Sequence, residues 1–295
     1  MPKVLVVGDF MLDRFWNGEV KRICPEAPVP VLSNVIESFF AGGAGNVAIS
    51  LSQLGNDVQC LGSVGDDNEG LLLIKLLSKH CDTSTINKCK NFRTITKTRL
   101  MTGNHYLLRL DRDENYEPVE FNHLDLSEFD LIYIADYGKG SIGQTTLNEL
   151  RRNFGNKQIL VDPKSSDWTI YRGASIIKPN NLEFQSALKL NPKLRDNYQE
   201  LFDIRTIVIT KGKEGAEILD EDLAVECKAP LIDAVVEVTG AGDLFGAILA
   251  NGVSKGISIK KASEMAIQAC TYAVTLPGTC QVTNEILDAL KFNKE

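Results

Sequence analysis

The stretch Thr239-Gly240-Ala241-Gly242-Asp243 runs without a break into the apolar segment Leu244-Phe245-Gly246-Ala247-Ile248. The apolar residues from Asp243 to Leu249 recur at the spacing of a helix that packs on one face. Small residues at the start of a helix let the backbone approach a ligand closely, and the free N–H groups there bind an anion. In the first turn, Asp243 either only complements the helix dipole or also takes a proton beside the bound anion.

Short β-branched runs precede this segment and alternate with amphipathic stretches such as Asn46 to Leu54. Runs this short and this uniformly apolar predict buried strands: Val4–Val7, Val58–Val64, Leu131–Ala135, Ile159–Val161, Ser175–Ile177 and Thr206–Ile209. Their alternation with helices predicts a layered α/β sheet. With no repeat and no break in composition, we expect one domain over residues 1–295.

Polar residues follow five of these predicted strands: Asp9, Asp136, Asp162, Asn180 and the run Thr210-Lys211-Gly212. In open α/β sheets ligands bind beyond the carboxyl ends of the strands. Each residue alone is an ordinary loop or cap residue. Together on one rim they predict a site for a charged ligand rich in hydroxyl groups.

Two segments do not fit the sheet, at about 10–40 and 92–112. The first is rich in turn signals, and Thr94 to Asp111 alternates around Gly103-Asn104 as a hairpin does. We expect them to form a small β flap over the sheet. Trp16, Phe39 and Phe40 then pack inside the flap or contact a second subunit, which allows a homodimer through the flap; equally, they line the parent core.

The glycines Gly42-Gly43-Ala44-Gly45-Asn46 match the dinucleotide fingerprint G-x-G-x-x-A through Ala48. That fingerprint also needs an acid at the end of the next strand to hold a ribose, and Cys60-Leu61-Gly62 offers none. No G-x-x-x-x-G-K-[ST] is present either. A nucleotide-dependent oxidoreductase is therefore disfavoured and a P-loop enzyme is excluded.

Composition narrows the class of partner. The 295 residues are 43% hydrophobic and 24% charged, with a net charge of -7 and a pI near 5.2, which argues against nucleic acid and favours a small molecule. No apolar run predicts a membrane span or a secretory signal. The seven cysteines include no C-x-x-C, so we expect reduced thiols in the cytoplasm.

Four motifs taken together resemble the ribokinase-like (PfkB) carbohydrate kinase family. They are the glycine-rich segment Gly42–Ala48, the G-x-D-x-x-G of Gly65–Gly70, the N-x-x-E of Asn180–Glu183, and Thr239–Asp243. The resemblance implies an open, mostly parallel sheet with helices on both faces and a small β flap. It also implies ATP and Mg²⁺ as cofactors and a sugar as phosphoryl acceptor.

The same resemblance implies roles for individual residues. Asp243 would be the general base, and the amides of Gly240, Ala241 and Gly242 the anion hole. The sugar hydroxyls would be held by Asp9, Asp13, Gly42, Gly43 and Asn46. Asn180 and Glu183 would act on the ATP phosphates, with Glu183 also on Mg²⁺. The nucleotide would be lined by Thr210, Lys211, Gly212 and Gly215, with Gln268 near the adenosine.

Further segments resemble the branch of the family that phosphorylates O1 of D-glycero-β-D-manno-heptose 7-phosphate in ADP-heptose biosynthesis: Val6–Arg14, Pro25–Val31, Asp136–Gly140, Asp162–Lys164 and Tyr171–Ala174. The alternatives are a kinase for another sugar and a non-catalytic ligand-binding relative. Members of this branch are often fused to a nucleotidyltransferase. Because the sequence contains no H-x-G-H and ends at Glu295, we expect that step on another chain.

A substrate phosphate needs cations, and arginine grips phosphate with paired donors. The candidate cations are Lys97, Arg99 and Arg109 in the hairpin and Lys139, Lys164 and Arg172 after strands. Asp136, at its strand end, is a further candidate for binding the substrate. Singly, each cation is more simply a solvated charge. A two-residue turn at Gly103-Asn104 predicts Arg99 opposite Leu108, whereas a three-residue turn predicts Arg99 opposite Arg109, where they can form a clamp.

One residue departs from the family pattern. Relatives usually have Asp two residues before the threonine of the last motif, where it helps to bind a monovalent cation such as K⁺. Here that position is Glu237. Its longer side chain puts the use of K⁺ in question.

Overall fold

The structure is a computed structural model that describes residues 1–121, 124–155, 157–220, 223–232, 234–276 and 278–291. Within them the strands are β1 (Lys3–Ile23), β2 (Pro30–Gly43), β3 (Asp57–Gly65), β4 (Asp82–Cys89), β5 (Thr96–Thr102), β6 (His105–Arg112), β7 (Leu131–Ala135), β8 (Gln158–Asp162), β9 (Ile176–Ile177), β10 (Thr206–Thr210), β11 (Ala216–Asp220) and β12 (Leu223–Cys227). The helices are α1 (Ala44–Gln53), α2 (Asn68–Leu77), α3 (Thr146–Phe154), α4 (Asn181–Leu190), α5 (Leu194–Phe202), α6 (Ala241–Ser254), α7 (Ile259–Ala273) and α8 (Asn284–Lys291).

The main sheet has the strand order β12-β11-β10-β9-β8-β7-β1-β3-β4. From β10 to β4 every neighbouring pair is parallel, and β11 and β12 add an antiparallel edge. All six strands predicted from short apolar runs lie side by side in the parallel part. The predicted α/β class is therefore confirmed.

Both faces of the sheet are covered, which explains why its strands are continuously apolar. In β1, Val4 and Val6 join a core with α1, α2, α6 and α7. Leu5 and Val7 point the other way, into a core with α3, α4 and α5. A strand buried on both faces cannot show the polar alternation of a half-exposed strand. Among the described helices, none is long and apolar enough to cross a membrane.

A second group of strands stands on the end of β1 and is called the flap sheet: the part of β1 from Phe10 onward with β2, β5 and β6. β1 pairs antiparallel with β2 and parallel with β5, and β5 pairs antiparallel with β6. Arg14 lies over the rings of Trp16 and Phe39, and Phe40 meets Phe15 edge to face. Trp16, Phe39 and Phe40 therefore contact other residues of the flap sheet, and Phe39 also packs against the main core that contains α1 and α2.

The β5–β6 hairpin confirms the predicted hairpin but combines the two registers. Its turn has two residues, since Thr102 pairs with His105, yet Arg99 pairs with Arg109. A bulge between the pairs Leu100–Leu108 and Met101–Tyr106 shifts the register by one residue. The expectation that a two-residue turn puts Arg99 opposite Leu108 is therefore wrong. The bulge also puts Tyr106 and Arg109 on one face and Leu108 and Leu110 on the other.

Candidate active site

The N-terminus of α6 lies at the carboxyl end of the parallel strands, as the sequence motif predicts. Gly240 precedes the helix with φ 80°, a left-handed conformation that favours glycine. A Cβ on Gly240 would also lie 2.6 Å from Asn46 Nδ2. Ala241 N donates to Val238 O at 3.1 Å and so closes the turn. The predicted anion hole is thus a tight turn in which the Ala241 amide is already engaged.

Asp243 is held from two sides. Asn46 Nδ2 donates to its Oδ2 at 3.0 Å, and the Tyr137 hydroxyl donates to its Oδ1. Burial raises the pKa of Asp243 to about 6, and the bonds from Tyr137 and Asn46 oppose that rise. A carboxylate with a pKa near 6 is mostly ionised at pH 7 and still accepts a proton readily, which suits a general base.

Asp9 has a different position from the one expected. It is fully buried, and its carboxylate accepts the backbone N–H groups of Tyr137, Lys139 and Ser141 at 2.8, 3.0 and 3.2 Å. All three donors belong to the loop after β7. In this conformation Asp9 therefore fixes the loop that carries Tyr137 and presents no oxygen to a ligand, contrary to its predicted contact with sugar hydroxyls.

The carboxylate of Asp136 is also engaged by hydrogen-bond donors of the protein itself. Its Oδ1 accepts Gly138 N at 2.7 Å, and its Oδ2 accepts the Tyr171 hydroxyl. It is only 7% exposed. Its position after β7 therefore serves the loop conformation, and the structure does not place it among the groups that face Asp243.

The flap sheet brings a buried ion pair to the site. Arg99 Nη1 lies 2.6 Å from Asp13 Oδ1, with the two side chains 7% and 6% exposed. A Cβ on Gly42 would lie 2.4 Å from Asp13 Oδ2, so only glycine fits beside that carboxylate. Gly43 follows at the end of β2, directly before α1. The predicted residues Asp13, Gly42, Gly43 and Asn46 thus do come together.

Lys97 connects the flap sheet to the surroundings of Asp243. Its Nζ lies 5.6 Å from the centre of the Tyr137 ring. Burial lowers the pKa of Lys97, while Asp13 and Asp243 act in the opposite direction and Arg99 adds to the lowering. We call Asp13, Asn46, Lys97, Arg99, Tyr137 and Asp243 the flap side of the site.

The remaining predicted cations lie apart from this group. Arg109 pairs with Asp111 at 2.9 Å and is 58% exposed, so it is opposite Arg99 in register without sharing its burial. Lys139 pairs with Asp113 at 2.7 Å, and Lys164 lies 3.5 Å from Glu183. Arg172 donates to the carbonyl of Leu201. No clamp between Arg99 and Arg109 is seen among the described residues.

The structure brings Tyr133, Asp162 and Lys178 together near Asp243. Lys178 Nζ lies 2.9 Å from Asp162 Oδ1, and Tyr133 donates to Asp162 Oδ2 at 3.3 Å. Burial raises the pKa of Asp162, and Lys178 opposes the rise. The strand-end pattern finds Asp162, but no pattern in the sequence singles out Lys178 or Tyr133.

The other end of the site is called the cleft side: Asn180, Glu183, the segment Thr210–Gly215 and the adjoining cleft. Asn180 and Glu183 form a reciprocal cap at the start of α4, each carboxyl or amide oxygen accepting the other's backbone N–H at 2.9 Å. Thr210 pairs with Asn180, and Gly212 and Gly215 shape the turn after β10. These predicted residues are therefore neighbours.

The cleft itself has a volume of about 300 Å³ and is lined by Lys211, Lys213, Glu214, Ala216, Glu226, Lys228 and Ala229. Lys211 Nζ lies 3.0 Å from Glu217, which also pairs with Arg195. Gln268 is exposed on α7, a helix that contacts β11 and β12. The three lysines of the cleft outnumber Glu214 and Glu226, the second of which lies 3.6 Å from Lys211 Nζ. The positive balance suits an anionic ligand.

Comparisons with known proteins agree with this architecture. The model of the pfkB family of carbohydrate kinases matches residues 1–286. The chain is 35% identical over 310 residues to the protein named "Bifunctional protein HldE" of Psychromonas ingrahamii, covering 99% of this chain and 64% of that protein. The fold aligns with that of Arabidopsis thaliana ribokinase, solved with ribose and ATP, over 99% of both chains, with 16% identity and a TM-score of 0.78. Phosphofructokinase-2 from Escherichia coli, solved with potassium, covers 98% of this chain and 97% of its own, with 16% identity and a TM-score of 0.75.

Proposed function

The chain belongs to the pfkB family of carbohydrate kinases, and from this premise we propose that it transfers the γ-phosphoryl group of ATP to O1 of D-glycero-β-D-manno-heptose 7-phosphate. The observation that carries the proposal is the placement of Asp243 at the glycine turn before α6, where Asn46 and Tyr137 hold it and Lys97 of the flap sheet interacts with it. The segments that resemble the heptose phosphate branch support the choice of sugar. So does the likeness to the HldE protein, of which this chain spans 64% of the length.

Asp243 would accept the proton of the attacking hydroxyl. Its two oxygens are oriented by Asn46 and Tyr137, so the carboxylate does not have to be ordered when the sugar binds. The first-turn amides of α6, at Gly242 and Asp243, have no acceptor within the helix and would face the transferred phosphoryl group. Positioning and charge neutralisation supply most of the catalysis in such transfers.

The cleft side would hold ATP. Lys211, Lys213 and Lys228 line the cleft, and the start of α4 presents Asn180 and Glu183. Both oxygens of Asp162 are engaged by Lys178 and Tyr133, whereas Glu183 Oε1 has, among the described residues, only Lys164, at 3.5 Å. Carboxylate oxygens are the hard donors that Mg²⁺ prefers, so Glu183 fits a Mg²⁺–ATP complex that takes its other ligands from phosphate and water. Bound there, Mg²⁺ would neutralise charge on the phosphate oxygens. Glu183 is the side chain we assign to it.

Glu237 stands where relatives usually have the Asp that helps to bind a monovalent cation, and phosphofructokinase-2 was solved with potassium. The side chain does not fit that role here. Glu237 Oε1 accepts the backbone N–H groups of Val238 and Thr239, both at 2.9 Å, and the Thr239 hydroxyl at 2.8 Å. We therefore assign no step of the reaction to K⁺.

The flap side would select the sugar phosphate. Arg99 pairs with buried Asp13 and Arg109 pairs with Asp111, which leaves Lys97, near Asp243, as the hairpin cation that we assign to a second phosphate. A buried polar site discriminates strongly against substrates that leave its groups unpaired. Sugars without the phosphate should therefore be poor acceptors.

The test is a coupled kinase assay with heptose 7-phosphate, heptose, ribose and fructose 6-phosphate, each with the product identified by mass spectrometry. We expect heptose 7-phosphate to give the highest kcat/KM and a bisphosphate product. The Lys97→Met variant should lose activity on the phosphorylated sugar more than on heptose. Equal kcat/KM for sugars with and without the phosphate would contradict the choice of substrate but not the kinase activity.

We also propose that the outer face of the flap sheet joins two copies of the chain. Leu108 and Leu110 share that face and are 59% and 60% exposed, and an apolar sheet face of this kind favours a partner. Light scattering of the full chain should give twice the monomer mass. The Leu108→Lys, Leu110→Lys variant should give the monomer.

A further inference from the structure

Glu237 is the point where the flap hairpin meets the turn before α6. Besides the three donors from Val238 and Thr239 on Oε1, its Oε2 accepts the hydroxyl of Tyr106, a residue of β6. The residue is only 8% exposed. Both carboxylate oxygens are therefore engaged by hydrogen-bond donors of the protein itself.

This arrangement opposes a cation at Glu237. Four donor groups direct their hydrogens at one carboxylate, so the positive ends of their dipoles converge where a cation would have to lie. A cation site needs the reverse, several oxygens with free lone pairs that converge on one point. Glu237 thus has the surroundings of an internal hydrogen-bond anchor.

Tyr106 reaches Glu237 because of the hairpin bulge. Without the bulge, Tyr106 would lie on the same face as Leu108 and Leu110; with it, Tyr106 pairs with Met101 and shares the face of Arg99. The contact joins residues 131 positions apart. A hydrogen bond to an ionised carboxylate is stronger than one between neutral groups, and burial together with Glu237 raises the pKa of Tyr106, which keeps its hydroxyl protonated.

We infer that Tyr106 and Glu237 form a latch that docks the flap hairpin on the glycine turn before α6, at the position where relatives bind a monovalent cation. When the hairpin is docked, Glu237 holds Val238 and Thr239 at the start of the glycine turn, and the flap residue Lys97 lies within electrostatic reach of Asp243. Tyr106 and Glu237 are positioning residues. The effect on turnover rests on the proposed kinase function, whereas the docking itself does not.

Hydrogen–deuterium exchange of the full chain without ligand tests the docking directly. The Tyr106→Phe variant should exchange roughly tenfold faster in the peptides covering 96–112 and also in those covering 234–243. The matched control is Tyr116→Phe, which loses a tyrosine hydroxyl bond to Arg93 O and no contact with Glu237; it should leave 234–243 unchanged. If Tyr106→Phe does not accelerate exchange in 234–243, the latch is refuted whatever the substrate.

Kinetics separate the latch from a general loss of structure. With the sugar phosphate varied, Tyr106→Phe should raise KM about tenfold and change kcat less than about threefold, because the open flap becomes more populated. Tyr116→Phe should leave KM unchanged. A fall in kcat at constant KM would contradict a role in closure.

Two measurements test whether Glu237 binds a cation. The ligand-free protein should melt within about 1 °C in KCl and in tetramethylammonium chloride at equal ionic strength, since a bound ion would raise the melting temperature by several degrees. The wild-type kcat should agree within about twofold in the two salts. A K⁺-specific rise in melting temperature, or a tenfold activation by K⁺, overturns the assignment of Glu237 as an internal anchor.

Discussion

On the flap side, the side chains of Arg99 and Asp13 are less than a tenth exposed, and their ion pair joins two strands at residues 86 positions apart in the chain. On the cleft side, Lys211 pairs with Glu217 on the adjoining strand and keeps a quarter of its side chain exposed. Breaking a buried ion pair leaves an uncompensated charge away from water, but an exposed pair contributes little. The flap side is thus pre-assembled by the fold. On the cleft side the carboxylate of Glu217 is also buried, but it has two partly exposed partners, Lys211 and Arg195, so the two sides should respond differently to the loss of one cation.

The largest effect should come from Asp243→Asn. Loss of a positioned base should lower kcat by roughly 10²–10⁴ while ATP binding changes little, because the cleft side is untouched. Steady-state kinetics and calorimetric ATP titration measure the two quantities. Near-normal turnover would remove Asp243 from the role of base.

The same variant gives a check on folding. Burial raises the pKa of Asp243 above its ordinary 3.8 to about 6, so at pH 7 the ionised group destabilises the folded state, and stability falls as the pH rises from about 4 to about 6. Asp243→Asn removes that charge and should melt no lower than wild type. Asp57→Asn, an exposed substitution on β3, is the matched control.

Breaking the buried pair should have the next largest effect. Arg99→Met leaves Asp13 buried without its partner and should lower the free energy of unfolding by roughly 3–5 kcal/mol. Adding Asp13→Asn to that variant should recover part of the loss. Urea unfolding measures both. If Arg99→Met unfolds at the wild-type midpoint, the pre-assembled character of the flap side is wrong.

Tyr137→Phe should alter the pH profile more than the fold. Because the Tyr137 bond lowers the pKa of Asp243, its loss should move the acidic limb of kcat/KM to higher pH and reduce the plateau rate several-fold. Asp162, Tyr133, Cys270 and Cys280 also face Asp243, with Lys178 and Lys97 as the nearby cations. All of these groups stay in place in the variant.

Tyr133→Phe is the control for that prediction, since the Tyr133 hydroxyl donates to Asp162 and not to Asp243. It should leave the acidic limb where it is in the wild type. A limb that moves equally in the two variants would mean that the loss of any nearby hydroxyl has this effect, and that Tyr137 has no special hold on Asp243.

The contrast between the two sides also explains what the sequence could predict. The parallel strands and the α6 motif follow from local runs of residues, and so do the Asn180–Glu183 cap and the turn at Gly212. Tyr137 on Asp243 and Tyr106 on Glu237 join residues 106 and 131 positions apart, and no local pattern encodes such contacts. The alternation of residues in β5 and β6 likewise does not predict the bulge in the hairpin.

Asp9 shows why the position of an acid at a strand end does not by itself identify a ligand-binding residue. It has the residue type and the place of a ligand-binding carboxylate, yet three backbone N–H groups occupy it. Whether an acid at a strand end faces a ligand or its own loop depends on the path of a segment more than 120 residues later. That path is a property of the folded chain.

The smallest effect should come from Lys211→Met on the cleft side. Glu217 keeps its second partner, Arg195, so no buried carboxylate is left unpaired and the free energy of unfolding should change by less than about 1 kcal/mol. The loss of one cation from the cleft should raise KM for ATP by roughly three- to tenfold at constant kcat. Lys75→Met, on α2 and away from the cleft, should change neither quantity. If Lys211→Met instead destabilises the protein as much as Arg99→Met does, the cleft side is pre-assembled in the same way as the flap side, and the distinction between them fails.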